Sequence, residues 1–192
     1  MNQNSIRYFI LTGEPGVGKT TLTKKICSVL SNKGIKVVGF YTEEVRNNRV
    51  REGFDVVTVE GTRGRLARDQ SLLNTPIKFK VGKYGVLVQE FEKVAMPSLT
   101  EPSINNSPAC IMIDEIGKME FYSETFKSKI KEIFNSNSKN VVLATIPLRK
   151  SDPLIESIRH DKNSKVWLVT KENRNTIHEE IINEMHYILK TQ

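Results

Sequence analysis

The sequence has little cysteine: Cys27 and Cys110 are its only two. They lie far apart, form no spaced metal cluster and offer no disulfide framework. Reduced thiols in a cytoplasmic protein are the plain expectation. Histidine is as sparse. His160, His178 and His186 stand isolated on predicted helical segments, without cysteine or carboxylate at metal-ligand spacing. No nucleophile-elbow pattern occurs, which removes that route to hydrolysis. No apolar run is long enough to span a membrane. The N-terminal run is also too short for a signal peptide and leads directly into a glycine-rich segment. Aromatic residues make up 7% of the chain, and the basic stretches lack the interleaved aromatics that stack bases, so nucleic acid is not an expected partner. Internal repeats, low-complexity tracts and a heptad seam are missing too, and a monomer is the default expectation. Asn105-Asn106-Ser107 matches a glycosylation acceptor but reads as a polar loop in a cytoplasmic protein.

What is present is enough for one globular domain over residues 1–192, with 38% hydrophobic content and a formal net charge of +7. That balance suits acidic ligands, nucleotides among them, although solvated lysines on helix faces account for such an excess in many proteins. The informative stretch is Gly13-Glu14-Pro15-Gly16-Val17-Gly18-Lys19-Thr20, followed by Thr21. It fits the phosphate-binding pattern G-x-x-x-x-G-K-[ST] at every fixed position. Glycines there leave room for backbone N–H groups to turn inward as an anion nest, and a helix starting near Lys19 adds the positive end of its dipole. Lys19 can reach β- and γ-phosphates, and the Thr20 hydroxyl can ligate Mg²⁺. The context agrees. Residues 6–11 are apolar and strand-sized, while Leu22, Ile26, Val29 and Leu30 follow at helical spacing up to Gly34.

Further along, residues 35–42 read as a strand. Residues 43–68 have a different character, with an Asn47-Asn48 hairpin turn, a β-forming run at 54–59 and another turn at Gly61-Thr62. A short strand pair follows around Gly82-Lys83, then a helix carrying Phe91, Val94 and Ala95 that is expected to end before Pro97. Residues 110–113 read as a buried strand, 141–146 as an apolar strand and 166–169 as a further strand. Ser123 and Asp152 are expected helix caps, and a last helix carries Ile177, Ile181, Met185 and Ile188. The sum is an α/β domain with a mostly parallel central sheet, helices on both faces and inserted antiparallel strands. Ligands in such sheets sit beyond the carboxyl ends of the strands, so segments 13–20, 114–120, 145–147 and 170–174 should converge.

Asp114 closes one of these strands, where the Mg²⁺-side acid of phosphate-loop enzymes stands. Glu115 beside it can orient or deprotonate a water attacking a γ-phosphate. Positive charge for the transition state has candidates in Arg63, Arg65, Arg68 and Lys118. Arg63 is preferred because nearby glycines suit a mobile element closing over ligand. Asn173 and Arg174 can touch a base or ribose. Alternatively, Asn173 only caps the last helix, or Thr176-x-x-Glu179 caps it and leaves 170–175 as loop. A kinase with Arg149, Lys150 and Arg159 as a basic lid, and a nucleotide-switched RNA- or protein-binding module, are the competing readings.

With these residues in view, the chain resembles the cancer-related nucleoside-triphosphatases, also known as thermostable NTPases. The likeness runs through Leu11–Thr21, Gly39-Phe40-Tyr41-Thr42-Glu43-Glu44-Val45-Arg46, Gly53-Phe54-Asp55-Val56-Val57, Gly61-Thr62-Arg63-Gly64, Ile113-Asp114-Glu115-Ile116-Gly117-Lys118-Met119-Glu120 and Thr170-Lys171-Glu172-Asn173-Arg174. The phosphate loop alone is generic; the middle blocks are specific. The resemblance implies a RecA-like three-layer sandwich. It also implies slow, Mg²⁺-dependent hydrolysis of ATP, GTP and other nucleoside triphosphates to diphosphate and phosphate. The differences from the family pattern lie in loops, chiefly 69–76 and 100–108.

Overall fold

The computed structural model describes residues 6–100, 109–135 and 140–191. The 105–107 acceptor motif and most of the 100–108 loop lie outside them. Five strands form the parallel part of the sheet: β1 (Tyr8–Thr12), β2 (Lys36–Asn47), β7 (Ala109–Asp114), β8 (Val141–Thr145) and β9 (Ser164–Leu168). Four more, β3 (Val50–Thr58), β4 (Arg63–Asp69), β5 (Lys80–Val81) and β6 (Tyr84–Val86), extend it antiparallel from β2. All of them belong to one sheet in the order β5-β6-β4-β3-β2-β7-β8-β1-β9.

The alternation of side chains along the strands divides the core in two. Tyr8, Ile10, Ile111, Ile113, Val142 and Ala144 face α2 (Val88–Ser98), α3 (Glu124–Ile133) and α4 (Pro153–Arg159). Phe9, Leu11, Cys110, Met112, Val141 and Leu143 face α1 (Lys19–Asn32) and α5 (Ile177–Thr191). Every residue of β1 and β8 is buried, as expected of central strands covered on both faces. Both cysteines are buried thiols, with Cys27 Sγ 3.1 Å from Met112 Sδ. Burial pushes the Cys110 thiol up to about 12.

Local signals explain most element ends. Ser123 Oγ accepts the Phe126 N–H at 2.9 Å, and Asp152 Oδ1 accepts the Leu154 N–H at 2.9 Å, so both expected caps are present. The C-terminus of α1 closes through Gly34 N–H to Ser31 O and Ile35 N–H to Leu30 O. Two expectations shift. The hairpin turn falls at Asn48 and Arg49, both with positive φ, because β2 stays paired through Asn47 opposite Val50. Pro97 lies inside α2, which runs to Ser98. One residue from the helix end, its missing N–H costs a single hydrogen bond, and Phe91, Ala95 and Leu99 are buried in the core.

Candidate active site at the carboxyl ends of the parallel strands

Four strand ends converge as the sequence suggests. Backbone hydrogen bonds tie them beyond the strands: Ile116 N–H to Thr145 O, Ile146 N–H to Leu11 O, and Val169 N–H to Thr12 O. The phosphate loop lies between β1 and α1. Gly18 has φ 111° just before the helix, a conformation that L side chains rarely adopt. Lys19 folds back over the loop, its Nζ donating to Gly13 O at 2.9 Å and Glu14 O at 3.3 Å. Thr23 Oγ1 donates to Lys19 O and Thr20 O and pins the first turn of the helix.

Asp114 ends β7 and is 1% exposed. Thr145 Oγ1 donates to its Oδ1 at 2.5 Å, while Oδ2 is buried with no hydrogen-bond partner among the described residues. Burial raises the Asp114 pKa; the Thr145 and Thr20 hydroxyls and the Lys19 ammonium oppose that rise. The Asp114–Glu115 peptide is cis. Burial also raises the Glu115 pKa, the neighbouring Asp114 charge adds to the rise, and Lys19 opposes it. A further acid, Glu120, is 5% exposed behind this pair. Burial and the Glu115 charge push it up to about 8, against the backbone N–H groups of Gly117 and Glu120 that its carboxylate accepts.

A cavity of about 490 Å³ opens over the loop. Pro15, Gly16, Gly18, Lys19, Thr20 and Thr21 form one wall, and Glu115 reaches it from β7. Thr42, Glu43 and Glu44 of β2 and Arg51 and Phe54 of β3 form the opposite wall. Gly13, Glu14, Val17 and Asp114 support the cavity without lining it. The β2–β3 side was not among the expected site residues. Its one sequence signal was that Glu43, Glu44 and Phe54 fall within family-like blocks.

The expected charge-offsetting residues are placed differently. Arg63 is the first residue of β4, and its guanidinium donates to Asp55 Oδ2 at 2.9 Å and Glu43 Oε2 at 2.5 Å. The glycine after it, Gly64, is packed tightly: a Cβ there would meet Val94 Cγ2 at 2.7 Å. Strand pairing, ion pairs and the packing of Gly64 all hold Arg63 against β3. Arg65 pairs with Glu90, and Arg68 with Asp55. Lys118 is exposed and does not line the cavity. Asn173 uses both side-chain polar atoms on its own turn, Oδ1 accepting Thr170 N–H and Nδ2 donating to Leu168 O. The last helix starts at Ile177, so Thr176 immediately precedes it and 171–176 is turn. Arg174 donates to Val17 O at 3.1 Å and holds the phosphate loop from outside.

The profile of a family described as NTPase matches residues 8–182. The chain belongs to this NTPase family of P-loop hydrolases. It is 46% identical to the bovine cancer-related nucleoside-triphosphatase homolog, over 93% of this chain and 96% of the relative. The crystal structure of THEP1 from the hyperthermophile Aquifex aeolicus superposes with a TM-score of 0.80 at 39% identity, covering 93% of this chain and 98% of that one. The solution structure of a human cancer-related nucleoside triphosphatase gives 0.78 at 44% identity, covering 92% and 96%. The fold is therefore the RecA-like P-loop sandwich, its parallel sheet extended by antiparallel strands. Among the described residues no helix is long and apolar enough to cross a membrane.

Proposed function

We propose that this chain hydrolyses ATP, GTP and other nucleoside triphosphates to the diphosphate and phosphate, as a Mg²⁺-dependent monomeric enzyme of the cytoplasm. The observation that carries this reading is the cavity in which Glu115 faces the phosphate loop. Loop amides and Lys19 would hold the β- and γ-phosphates, Lys19 exchanging its loop carbonyls for phosphate oxygens. Thr20 and Asp114 fit a hard cation. One offers a hydroxyl, the other a buried carboxylate oxygen without a partner. A Mg²⁺ held by these residues would supply Lewis-acid charge to the triphosphate. Thr145 orients the Asp114 carboxylate by bonding its other oxygen.

Glu115 then positions water in line with the γ-phosphorus. As the new P–O bond forms, the bond to the β-phosphate oxygen breaks and that oxygen leaves with the electron pair. The water proton passes to the Glu115 carboxylate. Its raised pKa makes it a stronger base than an ordinary glutamate. Of the basic lid in the kinase reading, Arg159 is bonded to Glu156 and Pro147 O, while Arg149 and Lys150 are exposed.

Phosphate release from ATP, GTP, CTP and UTP with Mg²⁺ tests the reading beside Glu115→Gln. The expected result is release from several triphosphates, falling about 10²–10⁴-fold in the variant with nucleotide affinity kept. Full turnover in Glu115→Gln would remove Glu115 from the mechanism. Binding without release in the wild type would remove the hydrolase reading.

A further inference from the structure

The hairpin wall of the cavity holds a guanidinium that the sequence does not single out. Arg51 lies on β3, just past the Asn48-Arg49 turn and opposite Arg46 in the β2–β3 register. Its guanidinium lies 5.4 Å from the centre of the Phe54 ring and pairs with Glu44 Oε1. Its Nε is buried and has no hydrogen-bond partner among the described residues. The other arginines near the site do not line the cavity. Arg63 and Arg68 are committed to carboxylates, Arg68 also to Phe54 O and Ala67 O, and Arg174 is committed to Val17 O. Arg46 takes the other oxygen of Glu44 and also donates to Arg49 O.

Glu44 therefore answers two guanidinium cations with one carboxylate. The surplus positive charge belongs to the pair, and of the two only Arg51 lines the cavity. Lys19 faces it from the loop wall. A ligand that fits between these cations carries several negative charges at its far end, as the terminal phosphate of a triphosphate does. A planar guanidinium suits two oxygens of one phosphoryl group, and Arg51 would turn from Glu44 to present it. The Phe54 ring limits where that plane can lie, and the paired strands limit how far its Cα can move.

From this geometry we infer that Arg51 is the catalytic arginine of the site, supplied in cis by the β2–β3 hairpin, and that it meets the γ-phosphate opposite Lys19. Glu44 is its resting partner. The arrangement makes Arg51 a sensor of the third phosphate as well as an offset for charge that develops as the β–γ bond breaks. The inference rests on the triphosphatase reading of the same cavity.

The experiment measures binding of ADP and of the β,γ-imido analogue of ATP, together with ATP turnover, in the wild type, Arg51→Ala and Arg51→Lys. Arg51→Ala is expected to bind ADP as the wild type does, to lose about tenfold or more in affinity for the analogue, and to lose about 10³-fold in turnover. Arg51→Lys should recover part of the analogue affinity but little of the turnover, because the fork is lost while the charge stays. Thermal unfolding without nucleotide checks that Arg51→Ala is folded; if it is not, Arg51→Lys carries the test alone. Wild-type values for both the analogue-to-ADP affinity ratio and turnover would overturn the inference. Equal loss of ADP and analogue binding would also overturn it, since the contact would then not be to the γ-phosphate. Failure of the wild type to bind the analogue or release phosphate is a different result, and it overturns the triphosphatase reading itself.

Discussion

Asp114, Glu115 and Glu120 place three carboxyl groups in one buried corner, and their proton balance depends on folding. Glu120 is the clearest case, raised from 4.5 to about 8. An acid whose folded pKa exceeds its unfolded value takes up a proton on folding. Its contribution to stability is complete below about pH 4.5 and is lost as pH rises through about 8. Asp114 and Glu115, also raised, act in the same direction. Glu120→Gln keeps the shape and an oxygen for the Gly117 N–H but removes the proton. In metal-free protein the variant should lose part of the wild-type decline in stability between pH 5 and pH 8, a decline bounded at about 1.4 kcal/mol per pH unit for one proton. Urea unfolding at several pH values checks this. Parallel profiles for the two proteins would mean that Glu120 is ionised in the fold at neutral pH.

At the scale of elements, the strand register sets what the site can contain. β2 crosses β7 so closely that a Cβ on Gly39 would lie 2.0 Å from Met112 O, and Gly39 has φ 111°. Both facts forbid a side chain. Gly39→Ala should destabilise by about 2–5 kcal/mol, from backbone strain plus overpacking, read as a lower urea midpoint at unchanged slope. A change within about 0.5 kcal/mol would show that the β2–β7 crossing yields. Strand pairing also decides what the sequence reveals and what it hides. The phosphate loop, the Asp114–Glu115 pair and the Ser123 and Asp152 caps are local patterns, in which neighbours along the chain are also neighbours in space. Arg51 reaches the cavity only through hairpin pairing with β2, and no spacing in the chain encodes that. Gly64, which the sequence reads as a sign of motion beside Arg63, packs in the fold against Val94 of α2. The sequence leaves Asn173 open between a base contact and a cap, and the fold uses it to brace a turn between β9 and α5.

For the molecule as a whole, a single sheet carries both cores, and the nucleotide cavity is built from its middle. β1 and β7 deliver the loop and the acids, while β2 and β3 deliver the opposite wall. A ligand that clamps these segments therefore ties together strands from both the parallel and the antiparallel parts of the sheet. The antiparallel strands do not form a separate layer, because β2 runs continuously from its pairing with β7 into its pairing with β3. Unfolding should be one cooperative transition, and nucleotide should shift all of it. At about a hundredfold excess over its dissociation constant, a ligand bound only to the folded state adds about 2.7 kcal/mol. At ~2–4 °C per kcal/mol for a chain of this size, the midpoint should rise by about 5–11 °C with the β,γ-imido analogue and Mg²⁺. Glu115→Gln should keep that rise, because the carboxylate acts on water and not on binding. If Asp114 holds Mg²⁺ as proposed, Asp114→Asn should lose the part of the rise that depends on Mg²⁺, because its Oδ2 is buried without a partner among the described residues. Scanning calorimetry with and without EDTA separates these outcomes. Two resolved transitions, with only one moved by nucleotide, would show that the antiparallel wall unfolds independently of the loop it faces.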